Sequence, residues 1–181
     1  MPSAHGTLAW SPAAAHPDLL ADPVAAAVAA VPSALVAAID ATLADTAAFC
    51  AAYDVDPAAS ANCVIVAGRR GDRTTHAAVL VLATHRADVN GVVRRHLDVR
   101  KISFAPHEEA VGRSGMEFGG ITPIGLPADW PVLVDSAVLA AGPVVIGSGL
   151  RRSKLLVEAA DLAALPGAEV LDLATPLPVR D

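Results

Sequence analysis

The sequence predicts an α/β protein, a mixed β-sheet with helices packed on it, from three observations. Short apolar runs rich in Val and Ile alternate with segments of helical spacing, turn formers separate them, and 54% of the 181 residues are hydrophobic while only 3% are aromatic. A chain of this length fits one domain, and its apolar content is ample for one continuous core. With so few rings that core must be built from Ala, Val, Leu and Ile, which favours close helix-on-sheet packing. No internal repeat and no linker divides the chain.

From Asp18 to Tyr53 strong helix formers dominate, broken at Pro23 and Pro32, and Asp22 before Pro23 has the form of an N-cap followed by a proline in the first helical position. Val24 to Ile39, VAAAVAAVPSALVAAI, imitates a signal-peptide core. No Lys or Arg precedes it, Asp22 and Asp40 bracket it, and its 16 residues are too few to span a bilayer. It reads as two short Ala-rich amphipathic helices. Residues 1–57 are therefore expected to form a helical N-terminal extension packed on the domain made by residues 58–181.

After Pro57 the pattern changes. NCVIVAG is a short apolar run, RRGD a turn and HAAVLVLAT a longer run with β-branched residues, together a hairpin. RADVNGVVRRHL places Val89, Val92, Val93 and Leu97 on one helical face, with Asp88 near the start and Arg94, Arg95 and His96 near the end, where the helix dipole favours cations. RKISFA reads as a strand and PHEEAVGRSG as a short helix closed by glycine. PVLVDSAVL, GPVVIGSGL and SKLLVEAADLAALPGAEVLDLA read as strands with one helix at Ala159 to Leu165.

The net charge of −6 is unevenly spread. Residues 1–68 hold six Asp and no Lys or Arg; residues 69–113 hold nine Lys or Arg against five Asp or Glu, a net +4; residues 114–181 return to a net −4. The middle of an acidic protein is thus a basic island, fit either for phosphate or for solvated helix and hairpin faces. Cys50 and Cys63 lack metal-ligand spacing and sit in apolar surroundings, so reduced, buried thiols and a cytoplasmic protein are expected. His76, His85, His96 and His107 show no HxxxH or HxH spacing, and no metal or cofactor is expected. GSGLRR lacks the full dinucleotide fingerprint.

FGGITPIGLP, Phe118 to Pro127, packs three glycines and two prolines into ten residues. Glycines permit close approach and unusual backbone angles, and Pro123 fixes φ, which together describe either a plain surface turn or a rigid loop of main-chain amides. Asp135 in VLVDSAVL reads as a strand-end cap or turn residue, or as a functional carboxylate. Gly147, Ser148 and Gly149 read as a turn, or as unhindered donors at a strand end. Arg151, Arg152 and Lys154 follow as a basic cluster or a solvated face.

The order hairpin, helix, strand, short helix, then GMEFGGITPIGLP, VLVD, VVIGSG and LPGAEVLDLA resembles the YbaK and prolyl-tRNA-synthetase-associated editing domain family over about Ala58 to Ala174. The resemblance implies a barrel-like mixed sheet with packed helices. It also implies hydrolysis in trans of the ester between a mischarged amino acid and the 3′-terminal adenosine of tRNA. The partners implied are the tRNA acceptor end and an aminoacyl-tRNA synthetase, without membrane or DNA. On this reading the GxxxP loop, Gly119, Gly120, Ile121, Thr122 and Pro123, holds the ester carbonyl, because an oxygen turning anionic needs donors already aimed at it. Asp135 with Gly147, Ser148 and Gly149 lines the amino-acid pocket, and Arg94, Arg95, Arg151, Arg152 and Lys154 meet tRNA phosphates. The chain departs from the family at the hairpin's first strand. Typical members have Lys then Thr there, the Lys being essential for deacylation, whereas this chain has Asn62 and Cys63. Three explanations stand open: Asn62 positions substrate or water by hydrogen bonds, a cation from the basic island substitutes in space, or a catalytically degenerate protein binds an aminoacyl or nucleotide-like ligand, a tRNA or a synthetase.

Overall fold

The computed structural model describes residues 1–178. The N-terminal segment runs through a short strand β1 (Ser11–Pro12), helix α1 (Asp22–Ala27) and strand β2 (Leu35–Ala38). The proline-started helix forms, beginning at Asp22 itself with Ala21 in the cap position. The second expected helix does not: ALVAAI is a strand. Alanine's helical preference is worth under about 1 kcal/mol per residue, and it loses here to pairing and burial. β2 lies antiparallel to β9 (Ser153–Glu158), Val36 opposite Leu155 and Ala37 opposite Lys154, with Val36 and Ala37 both buried on opposite faces.

Helix α2 (Thr46–Tyr53) ends at Asp54, whose φ of 53° closes it. The expected hairpin is β3 (Ala61–Arg70) against β4 (Arg73–Leu82), antiparallel, with Gly71 at φ 60° in the turn. Strand β5 (His85–Ala87) leads into a helical segment that starts with a π-type turn (Val89–Val93) and continues as α3 (Arg94–His96). Asp88 caps it, its carboxylate accepting from the Gly91 and Val92 amides. β6 (Lys101–Phe104) and α4 (His107–Ser114), closed by Gly115 at φ 69°, follow as expected. PVLVDSAVL divides instead of running on as one strand. β7 (Val132–Asp135) stops where the Asp135 side chain accepts the Ala137 amide and starts α5 (Ser136–Ala140). β8 (Pro143–Gly147), β9, α6 (Ala159–Ala163), β10 (Ala168–Leu171) and β11 (Ala174–Pro176) complete the chain.

Two sheets carry the core. One is mixed and five-stranded, order β10-β7-β4-β3-β6; the other is four-stranded and antiparallel, order β1-β2-β9-β8; β11 pairs with β5 in a separate ribbon. Among the described residues one isolated backbone bridge, Ser60 to Val145, joins the start of β3 to β8, so the architecture is barrel-like without closing. From His76 onward β4 is buried on both faces, which is why Ala77 to Leu82 is one continuous apolar run. Ala78, Leu80 and Leu82 point into the inter-sheet core with Ile65, Val134, Ile146 and Leu155. Val79 and Val81 point the other way, under Val89, Val93 and Leu97 of the 89–96 helical segment. A third cluster, Phe49, Cys50 and Val55 with Val145 and Leu156, lays α2 on the outer face of the four-stranded sheet. Among the described residues no helix is long and apolar enough to cross a membrane.

Candidate active site

β6 pairs only with Val66 to Arg69, so the first residues of β3 have β4 on one side and no strand on the other. Along that free edge runs a cleft of about 530 Å³, walled by Asn62, Cys63 and Ile65 of β3, by Asp45 and Thr46 at the start of α2, by Gly119 and Ile121, and by Gly147 and Lys154. Phe104, His107 and Phe118 stand at the same cleft.

The glycine loop owes its shape to the turn between β8 and β9. Gly149 N–H donates to the Gly120 carbonyl at 2.7 Å, and Gly120 N–H donates to the Glu117 carbonyl at 2.9 Å. A Cβ on Gly120 would lie 2.8 Å from the Leu150 backbone, and one on Gly147 would collide with the Gly120 carbonyl oxygen. These glycines exist so that two stretches of main chain can touch. Gly119, at φ 82°, is the residue whose backbone conformation itself demands glycine, and it is exposed to the cleft beside the Arg151 guanidinium.

The loop is thus only partly a strip of free amides. Gly120 is engaged as above, Thr122 N–H points at Met116 Sδ, 3.5 Å away, and Thr122 and Pro123 are buried behind the loop. The Gly119 and Ile121 amides have no hydrogen-bond partner among the described residues, and both residues line the cleft.

Asn62 lies in the cleft wall, held by Thr46, whose hydroxyl donates to Asn62 Oδ1 at 2.6 Å, so the Asn62 NH2 group remains available to donate. The cleft wall also holds a cation, Lys154 of β9, which lies outside the basic island of residues 69–113. Lys154 is 8% exposed; its Nζ donates to the Ala44 carbonyl at 2.9 Å and lies 5.2 Å from the centre of the Phe49 ring. Burial pushes its ammonium down to about 8, only partly offset by the nearby Cys50. Directly opposed residues of an antiparallel pair project on one face, so Gly147, opposite Lys154, leaves the place that the Gly120 carbonyl fills beside the lysine. The Cys63 thiol, pushed up to about 12 by burial, is a poor nucleophile.

The other sequence-predicted residues fall elsewhere. Ser148 is fully buried; its hydroxyl meets Ser153 Oγ at 2.7 Å and accepts the Leu150 amide, pinning the turn. Gly149, at φ 85°, packs on Ala21. Asp135 is not in the cleft wall; besides capping α5 it accepts the Leu173 and Ala174 amides, each at 3.0 Å. Asp135→Ala is accordingly expected to lower stability by about 2–3 kcal/mol in chemical denaturation, since one buried and two part-buried amides lose their acceptor. The rate per folded molecule should be unchanged, and a fall in that rate would restore Asp135 to the pocket. Arg151 reaches the Phe118 carbonyl at 3.4 Å and Asp45 at 3.6 Å, so it borders the cleft. Arg152 donates to the Asp18 carbonyl at 2.6 Å, and Arg94 to that of Asn90 at 2.8 Å. Arg94 and Arg95 belong to the helical segment on the far face of the five-stranded sheet and do not line the cleft. Sequence reasoning missed Thr46, Asp45 and His107, which carry no local signature. It placed Lys154 on the surface although SKLLVE, a lone cation within an apolar strand, was a signal of burial.

Residues 40–165 match the family model of the aminoacyl-tRNA editing domain. Among solved structures, a protein provisionally described as a trans-editing enzyme for prolyl tRNA synthetase superposes with a TM-score of 0.73 at 23% identity, covering 86% of this chain and 96% of its own. A hypothetical protein, APE2540, superposes with a TM-score of 0.65 at 23% identity over 73% of this chain and 85% of its own. At such identities the likeness is one of fold. No curated protein matches the chain. The family model spans well over half of the sequence, and the chain belongs to the aminoacyl-tRNA editing domain family.

Proposed function

We propose that the cleft hydrolyses, in trans, the ester joining a mischarged amino acid to the 3′-terminal adenosine of tRNA. The observation that carries this reading is the pair of unengaged amides, Gly119 and Ile121, in one cleft with the Lys154 ammonium. A lone pair of water forms a bond to the ester carbonyl carbon, the C=O π pair moves onto the carbonyl oxygen, and the proton that the water sheds is the one the ribose oxygen later takes up. Two fixed N–H donors then meet an oxyanion at no cost in side-chain entropy. When the intermediate collapses, the C–O bond to the ribose breaks, the ribose oxygen takes up a proton, and the free amino acid leaves. No side chain of the cleft is needed as nucleophile. The family resemblance gives the orienting of water to the ribose hydroxyl beside the ester.

Within this scheme Lys154 supplies the positive charge that a lysine at position 62 would otherwise give, and Asn62, steadied by Thr46, donates its NH2 group to the substrate. Arg151 at the rim, followed by Arg152, suits the phosphates of the acceptor end, and an aminoacyl-tRNA synthetase is the partner from which charged tRNA would arrive. To test it, the protein is incubated with a panel of mischarged tRNAs and amino-acid release is followed. Turnover of at least one is expected, and Gly119→Ala, which puts a Cβ at φ 82° against Arg151, should slow it by about 10²-fold. Absence of turnover on every member of the panel overturns the hydrolytic reading and leaves a binding protein of the same fold.

A further inference from the structure

We propose that Phe104, His107 and Phe118 form a stacking platform for an unpaired nucleobase at the mouth of the cleft, the occupant being the terminal base of the RNA strand whose ester enters it. This inference rests on the hydrolytic reading for the identity of the strand, and its test can fail separately.

Rings are scarce in this chain and two of its three phenylalanines are spent outside the core. Phe49 is fully buried, whereas Phe104 is 63% and Phe118 is 52% exposed, and both stand at the same cleft. An exposed ring forfeits the burial that makes phenylalanine useful to stability, so two at one opening point to a ligand with an apolar face. The His107 ring, at the start of α4, lies against that of Phe118, so the surface offered is a set of neighbouring π-faces.

The surroundings select the kind of ligand. Phe104 ends β6, the outermost strand of the five-stranded sheet. Exposed Arg100 stands just before that strand, and exposed Lys101, three residues before Phe104 and roughly 10 Å along the strand, is paired with exposed Arg69 on the strand's other face. Arg151 reaches the Phe118 carbonyl. Apolar rings flanked by cations suit a molecule with a flat aromatic part and a phosphate chain, which describes single-stranded nucleic acid; alternating stacking and backbone charge is how such strands are held without reading sequence. The basic island of residues 69–113 supplies Arg69, Arg100, Lys101, Phe104 and His107, while the domain around it is acidic.

The probe is a short single-stranded RNA whose 3′-terminal adenine is replaced by 2-aminopurine, titrated at fixed salt with the full chain. Its fluorescence is expected to fall on binding as the base stacks. Phe118→Ala and Phe104→Ala should each weaken binding by about tenfold and remove most of the quenching. Phe118→Trp should retain both, and Phe118→Leu, equally apolar but without a π-face, should not. On a mischarged tRNA the alanine variants should raise KM with kcat within about twofold, since the base is held alike in ground and transition state. Ring-dependent quenching without turnover upholds the platform while the hydrolytic reading falls. Unaltered affinity and quenching in both alanine variants overturns the platform whatever the turnover, as does alanine-sensitive binding to a synthetase with RNA binding intact, which would make this a protein-docking face.

Discussion

Lys154→Met is expected to abolish most turnover, by about 10²-fold or more, and at the same time to make the protein more stable. The two effects have one cause. The ammonium is buried against Phe49 with one carbonyl for company, and burial holds its pKa near 8 where an exposed lysine has about 10.5. At pH 7 the folded state therefore carries a charge that costs about 3 kcal/mol relative to the unfolded chain. A methionine of similar length removes that cost and loses one hydrogen bond, worth about 1 kcal/mol, so a net gain of about 2 kcal/mol in chemical denaturation is expected. The pH dependence has a definite sign. Between about 8 and 10.5 the unfolded chain binds a proton that the folded chain has released, so the stability of the parent rises with pH across that window and the variant lacks this rise. Enzymatic release of amino acid, corrected for uncatalysed hydrolysis, should fall as pH passes about 8 and the ammonium is neutralised. A variant that is no more stable and turns over as fast as its parent would show that Lys154 is an ordinary structural residue.

Gly147→Ala is expected to damage folding and turnover together. Its Cβ would meet the Gly120 carbonyl oxygen and lie 2.8 Å from that of Ile121, and both are main-chain atoms that cannot rotate away. Overpacking of this kind costs about 1–3 kcal/mol. Relief would come from pushing the glycine loop outward, and a shift near 1 Å in the Gly119 and Ile121 amides should cost about 10²-fold in rate. Gly112→Ala is the matched comparison. That residue lies inside α4 with open space around a would-be Cβ, so the same substitution should stabilise by about 0.5–1 kcal/mol. Equal behaviour of the two variants in denaturation and turnover would refute the claim that contact between the loop and the β8–β9 turn shapes the site.

Local pattern was enough wherever one short segment decided the outcome. The β3–β4 hairpin, the helical face Val89, Val93 and Leu97, the Gly115 cap and the glycine loop all declare themselves within one contiguous stretch each, because turn chemistry and side-chain period are local properties. The family was legible for the same reason: its motifs recur in order along the chain. What the sequence by itself determined was therefore the succession of elements and the loop with its two glycines. Tertiary structure alone decided that ALVAAI joins a sheet instead of a helix, since β1 and above all the distant β9 offer it partners only in the folded chain. It decided that Asp135 faces the Leu173 and Ala174 amides and α5, away from the cleft. It also decided that Lys154, 92 residues after Asn62, brings its charge to the same opening. Burial and the meeting of distant strands are properties of the assembled chain, and charge, pKa and reactivity follow from burial.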